Sequence, residues 1–155
     1  MVFLSTYTNK IDSKGRVSVP ASYRHALAKE DFNGVIVVPS FKFAAIEAFG
    51  MSQMEKILSS VESLDMFSDE QDHLKTALFA AAKELNFDSD GRILLPENMR
   101  EMFGFKDQAT FVGTGKSFQI WLPDQYQKHQ QDIMQKLRKS HPTLKTEGLR
   151  KGENP

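Results

Sequence analysis

The sequence predicts an α+β chain built as two similar halves, and three observations carry that expectation. One is a repeated segment: Asp12-Ser13-Lys14-Gly15-Arg16-Val17-Ser18-Val19-Pro20 recurs as Asp88-Ser89-Asp90-Gly91-Arg92-Ile93-Leu94-Leu95-Pro96, 76 residues further on. The correspondence continues through Tyr23-Arg24 with Met99-Arg100 and through Leu27 with Phe103. Another is a set of short β-branched and aromatic runs bounded by turn residues, which read as strands. The third is apolar periodicity behind serine and proline start signals, which reads as helices. In a chain of 155 residues, two repeats of about 75 would each bury only a marginal core alone, so the halves are expected to lean on each other.

Taken in order, Phe3 to Ile11 reads as a strand running into the Asp12-Ser13-Lys14-Gly15 turn, where glycine supplies the positive φ of a tight hairpin. Val17 to Val19 leaves the turn with period-two alternation. Pro20 stands where a helix starts, because its missing N–H would be unpaired there in any case, and Tyr23, Ala26 and Leu27 mark the helix's apolar side. Asn33-Gly34 signals a turn before a buried strand at Val35 to Val38, and Phe43 to Ile46 supplies another strand. Ser52 with Glu55, and Ser68 with Gln71, have capping-box spacing. They precede Met54, Ile57, Leu58, Val61 and then Leu74, Leu78, Ala81, Leu85, which predicts two middle helices.

The second half repeats the order. Phe87 enters its turn, Ile93 to Leu95 leaves it, and a helix runs from Pro96 to a stop at Gly104. Strands follow at Thr110 to Val112 and Phe118 to Leu122, and Pro123-Asp124 opens a last helix with apolar Tyr126, Ile133, Met134 and Leu137. The expected division is 1–62 for the first repeat with its helix, 63–86 for a linking helix, 87–139 for the second repeat with its helix and 140–155 for a flexible tail.

Composition excludes several classes. Without cysteine there is no disulfide framework, no thiolate nucleophile and no cysteine-rich zinc site. No apolar run reaches membrane-spanning length and the start lacks a signal-peptide pattern, so a soluble, untargeted protein is expected. The net charge of zero hides segregation: residues 1–46 carry six basic and three acidic groups, 47–88 three and nine, 89–123 four of each, and 124–155 seven and four. One basic face and an acidic region elsewhere would give that pattern, as would an ordinary solvated surface.

In Asp-x-x-Gly-Arg the aspartate accepts backbone N–H groups of its own turn, and the arginine projects from the first residue of the returning strand. A purely structural reading is that Asp12 and Arg16 simply pair. The clustering of Lys10, Lys14, Arg16 and Arg24 goes further than a turn requires. Gly113-Thr114-Gly115-Lys116-Ser117 ends like a phosphate-binding loop, but Thr110 stands where the first glycine belongs and a strand follows, so a hairpin turn is expected. His25, His73, His129 and His141 lack ligand spacing, and no base or activated hydroxyl accompanies the repeated Asp and Arg. Neither a metal, a cofactor nor an enzymatic activity is expected.

The two runs, with Tyr23-Arg24 and Met99-Arg100, closely resemble the paired Asp-x-x-x-Arg motifs of the MraZ family, within the wider AbrB-like group of swapped-hairpin DNA-binding proteins. The likeness extends to about Leu137 and includes the 76-residue spacing. It implies two tandem AbrB-like swapped-hairpin, β-barrel-like repeats with linking and C-terminal helices. It also implies a bacterial transcriptional regulator that binds short direct repeats in double-stranded DNA upstream of the division and cell-wall gene cluster. The partners it implies are that DNA and copies of the same chain in a ring-shaped homo-oligomer, with no membrane and no small-molecule ligand. The implied location is cytoplasmic and nucleoid-associated.

Carried over, the motif falls on Asp12 and Arg16 and on Asp88 and Arg92. Lys14 is replaced by Asp90 in the second copy, where a carboxylate repels phosphate and competes for Arg92. The first copy is therefore expected to make the principal DNA contacts: Arg16 to base edges or phosphate, Lys10, Lys14 and Arg24 mainly to phosphate, and Asp12 orienting the turn. Arg92, Arg100 and Asp88 form the weaker second copy, serving mostly packing and subunit contacts. One subunit with about four cations binds weakly, whereas subunits tethered in a ring gain effective concentration. A rival reading keeps the fold and makes the chain an antitoxin-like or scaffolding AbrB-like protein acting through protein partners.

Overall fold

The computed structural model describes residues 1–145. Strands β1 (Thr6–Lys10) and β2 (Arg16–Ser18) flank the first turn and lead into α1 (Ala21–Leu27). Then come β3 (Gly34–Pro39), β4 (Ala45–Phe49), α2 (Met51–Glu62), α3 (Asp69–Lys75) and a π-helical turn over Thr76–Ala80. Strands β5 (Lys83–Asn86) and β6 (Arg92–Leu94) flank the second turn, followed by α4 (Glu97–Phe103), β7 (Gln108–Gly113), β8 (Phe118–Trp121) and α5 (Pro123–Ser140). The α+β expectation stands.

Pairing crosses between the halves at every turn-flanking strand. The six-stranded antiparallel sheet runs β1-β7-β8-β4-β3-β5, so β1 of the first copy pairs with β7 of the second, and β5 of the second pairs with β3 of the first. The remaining strands, β2 and β6, pair with each other as a separate two-stranded ribbon with Arg16 opposite Leu94 and Ser18 opposite Arg92. Alternation on β3 and β4 divides the sheet into two faces. Val35, Val37, Ile46 and Ala48 meet Tyr23 and Leu27 of α1, Met99 of α4 and the inward ribbon residues Val17 and Ile93 in the main core. On the other face, Ile36, Val38 and Phe49 lie with Met54 and Ile57 of α2, and Trp121 packs with Tyr126 of α5. Each large side chain buried this way contributes about 1.5–3 kcal/mol, so the ribbon is anchored by residues from both copies.

Several elements differ from expectation. The segment 63–86 is not one linking helix: helical structure ends at Ala80 and Leu85 lies in β5 opposite Val35. Leu74, Leu78, Ala81 and Leu85 do fall at helical spacing, but pairing covers the open edge of β3, and non-local hydrogen bonds override that local period. Ser52 does not cap α2; Gly50 precedes the helix in an extended conformation, and Ser52 Oγ instead donates to Glu30 Oε1. Ser68 does cap α3, accepting from Gln71 N at 3.1 Å, while the Gln71 amide turns away to the carbonyls of Val61 and Leu64. The strand expected at Phe43 begins at Ala45, and the one expected from Phe3 begins at Thr6 because Ser5 adopts a φ of 73°. The segment resembling a phosphate loop is a hairpin turn leading directly into β8, with Thr114 N bonded to Ser117 O.

On α5, Tyr126 packs against Trp121, but Ile133, Met134 and Leu137 remain exposed. The tail expectation for 140–155 falls mainly outside the description: Ser140 ends α5, 141–145 carry neither helix nor strand, and 146–155 lie outside the described residues. No helix of the described chain is long and apolar enough to cross a membrane.

Candidate nucleic-acid interface

The two turns are built by the same hydrogen bonds. In the first, Asp12 Oδ1 accepts from the backbone N–H groups of Lys14 and Arg16, each at 2.9 Å, and Asp12 Oδ2 accepts from Arg16 Nε at 2.7 Å. Gly15, at a φ of 89°, donates to the Asp12 carbonyl, and Asp12 N donates to Arg16 O. In the second, Asp88 Oδ1 accepts from Asp90 and Arg92, each at 2.9 Å, Asp88 Oδ2 accepts from Arg92 Nε at 2.8 Å, and Gly91 has a φ of 74°. A carboxylate that binds its own turn through one oxygen and the arginine Nε through the other sets the direction of the guanidinium. The structural pairing of Asp12 with Arg16 is therefore present, and it uses only one edge of the arginine.

Accepting N–H groups stabilises the charged carboxylate. Asp12 is held down at about 2, chiefly by the Arg16 backbone N–H and next, against opposing desolvation, by the Arg16 side chain. Asp88 is lowered in the same direction, led by the Arg92 backbone N–H. Arg92 is pushed further up, first by its hydrogen bond to Asp88 and then by the charges of Asp88, Asp90 and Asp12.

The guanidinium surroundings differ. Arg92 Nη2 lies 3.4 Å from Asp90 and its Nη1 3.8 Å from Asp12, so three carboxylates face it. Among the described residues, Arg16 has Asp12 alone as an ion-pair partner and neither of its Nη groups has a hydrogen-bond partner. On the ribbon Val17 and Ile93 are buried, which turns Arg16, Ser18, Arg92 and Leu94 outward on one face. Lys14 at the first turn's tip and Lys10 at the end of β1 are exposed, and neither is ion-paired among the described residues.

Arg24 and Arg100 take different positions from the tip cations. Arg24 Nε donates to the Val19 carbonyl at 3.1 Å and Arg100 Nε to the Leu95 carbonyl at 3.1 Å. Their guanidinium groups lie against the opposite copy's turn glycine: a methyl built on Gly15 would stand 2.6 Å from Arg100 Cζ, and one on Gly91 2.7 Å from Arg24 Cζ. The sequence places Arg24 at phosphate and Arg100 in the weaker copy that serves mostly packing, and it does not show that the two share this placement against the opposite turn. The visible signal is their common position, five residues beyond Val19 and Leu95, the equivalent residues that follow β2 and β6.

This arrangement defines an α+β protein whose exchanged halves present paired, carboxylate-oriented arginine turns on one small ribbon. A family model described as "MraZ protein, putative antitoxin-like" matches residues 2–76 and again 78–147, two stretches that begin 76 residues apart, the spacing of the turns. The chain is 49% identical over 128 residues to the transcriptional regulator MraZ of Rickettsia akari (strain Hartford), covering 83% of this chain and 86% of that protein. It is 48% identical over 128 residues to the protein of that name from Rickettsia canadensis (strain McKiel), with the same coverage. The chain belongs to the MraZ family.

Proposed function

We propose that this chain is a sequence-specific DNA-binding transcriptional regulator that reads short direct repeats with the β2–β6 ribbon, the Arg16 turn making the principal contacts. The observation that carries this reading is the Arg16 guanidinium: it is oriented by Asp12 through Nε, and its Nη groups have no partner among the described residues. An arginine held at one edge and open at the other suits the paired acceptors of guanine in the major groove, which is wide enough to admit a two-stranded ribbon. Lys10 and Lys14 supply phosphate contacts that fix register. Arg92, facing three carboxylates, contributes less to DNA binding and more to holding the two turns together.

The finer assignments rest on the family and on physical fit. The cross-copy pairing of β1 with β7, β5 with β3 and β2 with β6 supports a description as two swapped-hairpin, β-barrel-like repeats. The exposed Ile133, Met134 and Leu137 support assembly into a homo-oligomeric ring, which raises affinity for repeated operators through effective concentration. Binding upstream of the division and cell-wall genes, in the nucleoid of the cytoplasm, completes the reading.

The test is a salt-titrated binding assay of wild type and Arg16→Ala on the chain's own upstream DNA and on a scrambled duplex of equal length. Selective binding that Arg16→Ala abolishes, with fold and oligomer intact, is the expected result. A wild type without selectivity at any salt overturns it and favours the protein-partner reading.

A further inference from the structure

We propose that Arg100 is a positioning residue for the Arg16 turn, and Arg24 for the Arg92 turn, so that each copy's helix clamps the DNA-facing turn of the other. This deepens the DNA-binding reading above and rests on it for its consequence, although the clamp itself is a property of the free protein.

The geometry is reciprocal. The backbone of Leu95 joins the clamp on both sides: its N–H donates to the Gly15 carbonyl at 3.0 Å, and its carbonyl accepts from Arg100 Nε at 3.1 Å. The Arg100 guanidinium then lies against Gly15, close enough that any Cβ there would collide with it. The same three contacts recur with Val19, Gly91 and Arg24: Val19 N donates to Gly91 O at 3.1 Å, Arg24 Nε donates to Val19 O, and the guanidinium covers Gly91. Both turn glycines are buried although they lie in surface hairpins. Each glycine supplies the positive φ of its turn, and the other copy's guanidinium packs so close over it that a Cβ there would have to displace the guanidinium.

A hairpin tip of four residues is ordinarily among the more mobile parts of a sheet. Here the first tip is pinned at its glycine by residues of the second copy, so the direction of Arg16 depends on Arg100. A reading arginine gains discrimination when its support is rigid, because a swinging one settles on phosphate as readily as on base edges. The arginine of the copy that contributes less to DNA binding therefore controls the selectivity of the copy that reads.

Amide hydrogen exchange on the intact protein tests the clamp directly. Arg100→Met, which keeps the apolar stem and removes the guanidinium, is expected to accelerate exchange at Lys14, Gly15 and Arg16 about tenfold or more and to leave Asp90, Gly91 and Arg92 unchanged. Arg24→Met is expected to do the reverse. Acceleration confined to the substituted arginine's own copy, or none, overturns the proposal. Arg100→Lys is the second variant, retaining charge and solubility without the planar fork; it should show the same localised acceleration. A Lys variant with wild-type exchange overturns the clamp. In DNA binding, Arg100→Lys should reduce discrimination between the upstream and scrambled duplexes while leaving the slope of log affinity against log salt unchanged. For Arg100→Met, a slope reduced by about 0.9 with discrimination retained would mark Arg100 as a phosphate contact and overturn it. A wild type without DNA selectivity would sink the functional reading alone, since the exchange experiment judges the clamp independently.

Discussion

The Arg16 turn and the Arg92 turn share a backbone and differ in their charge. Both use one carboxylate oxygen for two backbone N–H groups and the other for the arginine Nε, with a glycine of positive φ closing the loop. One exchange, Lys14 for Asp90, places a cation at one tip and adds a third carboxylate around the other arginine. The comparison teaches that a duplicated scaffold diverges by electrostatics while its hydrogen bonds stay fixed. The exposed third position contributes only its backbone N–H to the turn, so the charge of its side chain is free to be set by the partner.

The largest expected effect comes from removing each arginine in turn. Arg16→Ala should weaken binding to the upstream duplex by roughly 5–150-fold per repeat, the cost of about 1–3 kcal/mol for a lost bidentate base contact. Arg92→Ala should cost severalfold at most. Equal losses in a titration of the two variants would break the comparison.

A charge transfer between the tips sharpens it. Asp90→Lys removes the Nη2 partner of Arg92 and restores the first copy's pattern, so binding should tighten severalfold and the salt slope should steepen by about 0.9 for one added phosphate contact. Lys14→Asp should do the opposite. Slopes measured over a range of salt concentrations decide the matter, and an unchanged slope in both variants would remove the tips from the interface.

The turns were legible in the sequence because the bonds that join their Asp, Gly and Arg to one another lie within five residues, where those residues at fixed offsets leave few other solutions. The pairing of Asp90 with Arg92 followed from the same local geometry. What could not be read was non-local. Leu85 completes a helical period with Leu74, Leu78 and Ala81, and only the open edge of β3 turns it into a strand residue. Ser52 has capping-box spacing, yet the exit from β4 places Gly50 ahead of the helix. Arg24 and Arg100 were visible as cations, whereas their packing on Gly91 and Gly15 needs the exchange of strands between halves. The exchange itself leaves no local trace, because β1 and β5 would look the same if each paired within its own copy.

The smallest effect separates the two turns by acid. Asp12 titrates at about 2 in the folded chain against 3.8 ordinarily, so its contribution to stability is fully present above the ordinary value and is lost as pH falls from there toward 2. Asp88 is depressed in the same direction and follows the same sign. Both turns should therefore remain intact from neutral pH down to about 4, with no loss of the Arg16 geometry in that window. Carboxyl chemical shifts followed by NMR are expected to place the Asp12 midpoint near 2 and the Asp88 midpoint below the ordinary 3.8. Asp12→Asn keeps an acceptor for the two backbone N–H groups but gives up the charge that holds Arg16 Nε. It should erase the turn's share of the low-pH loss while leaving the Asp88 titration in place. A midpoint for Asp12 at its ordinary value would mean that the carboxylate is not holding Arg16 in solution, and the orientation that distinguishes the reading turn would lose its physical cause.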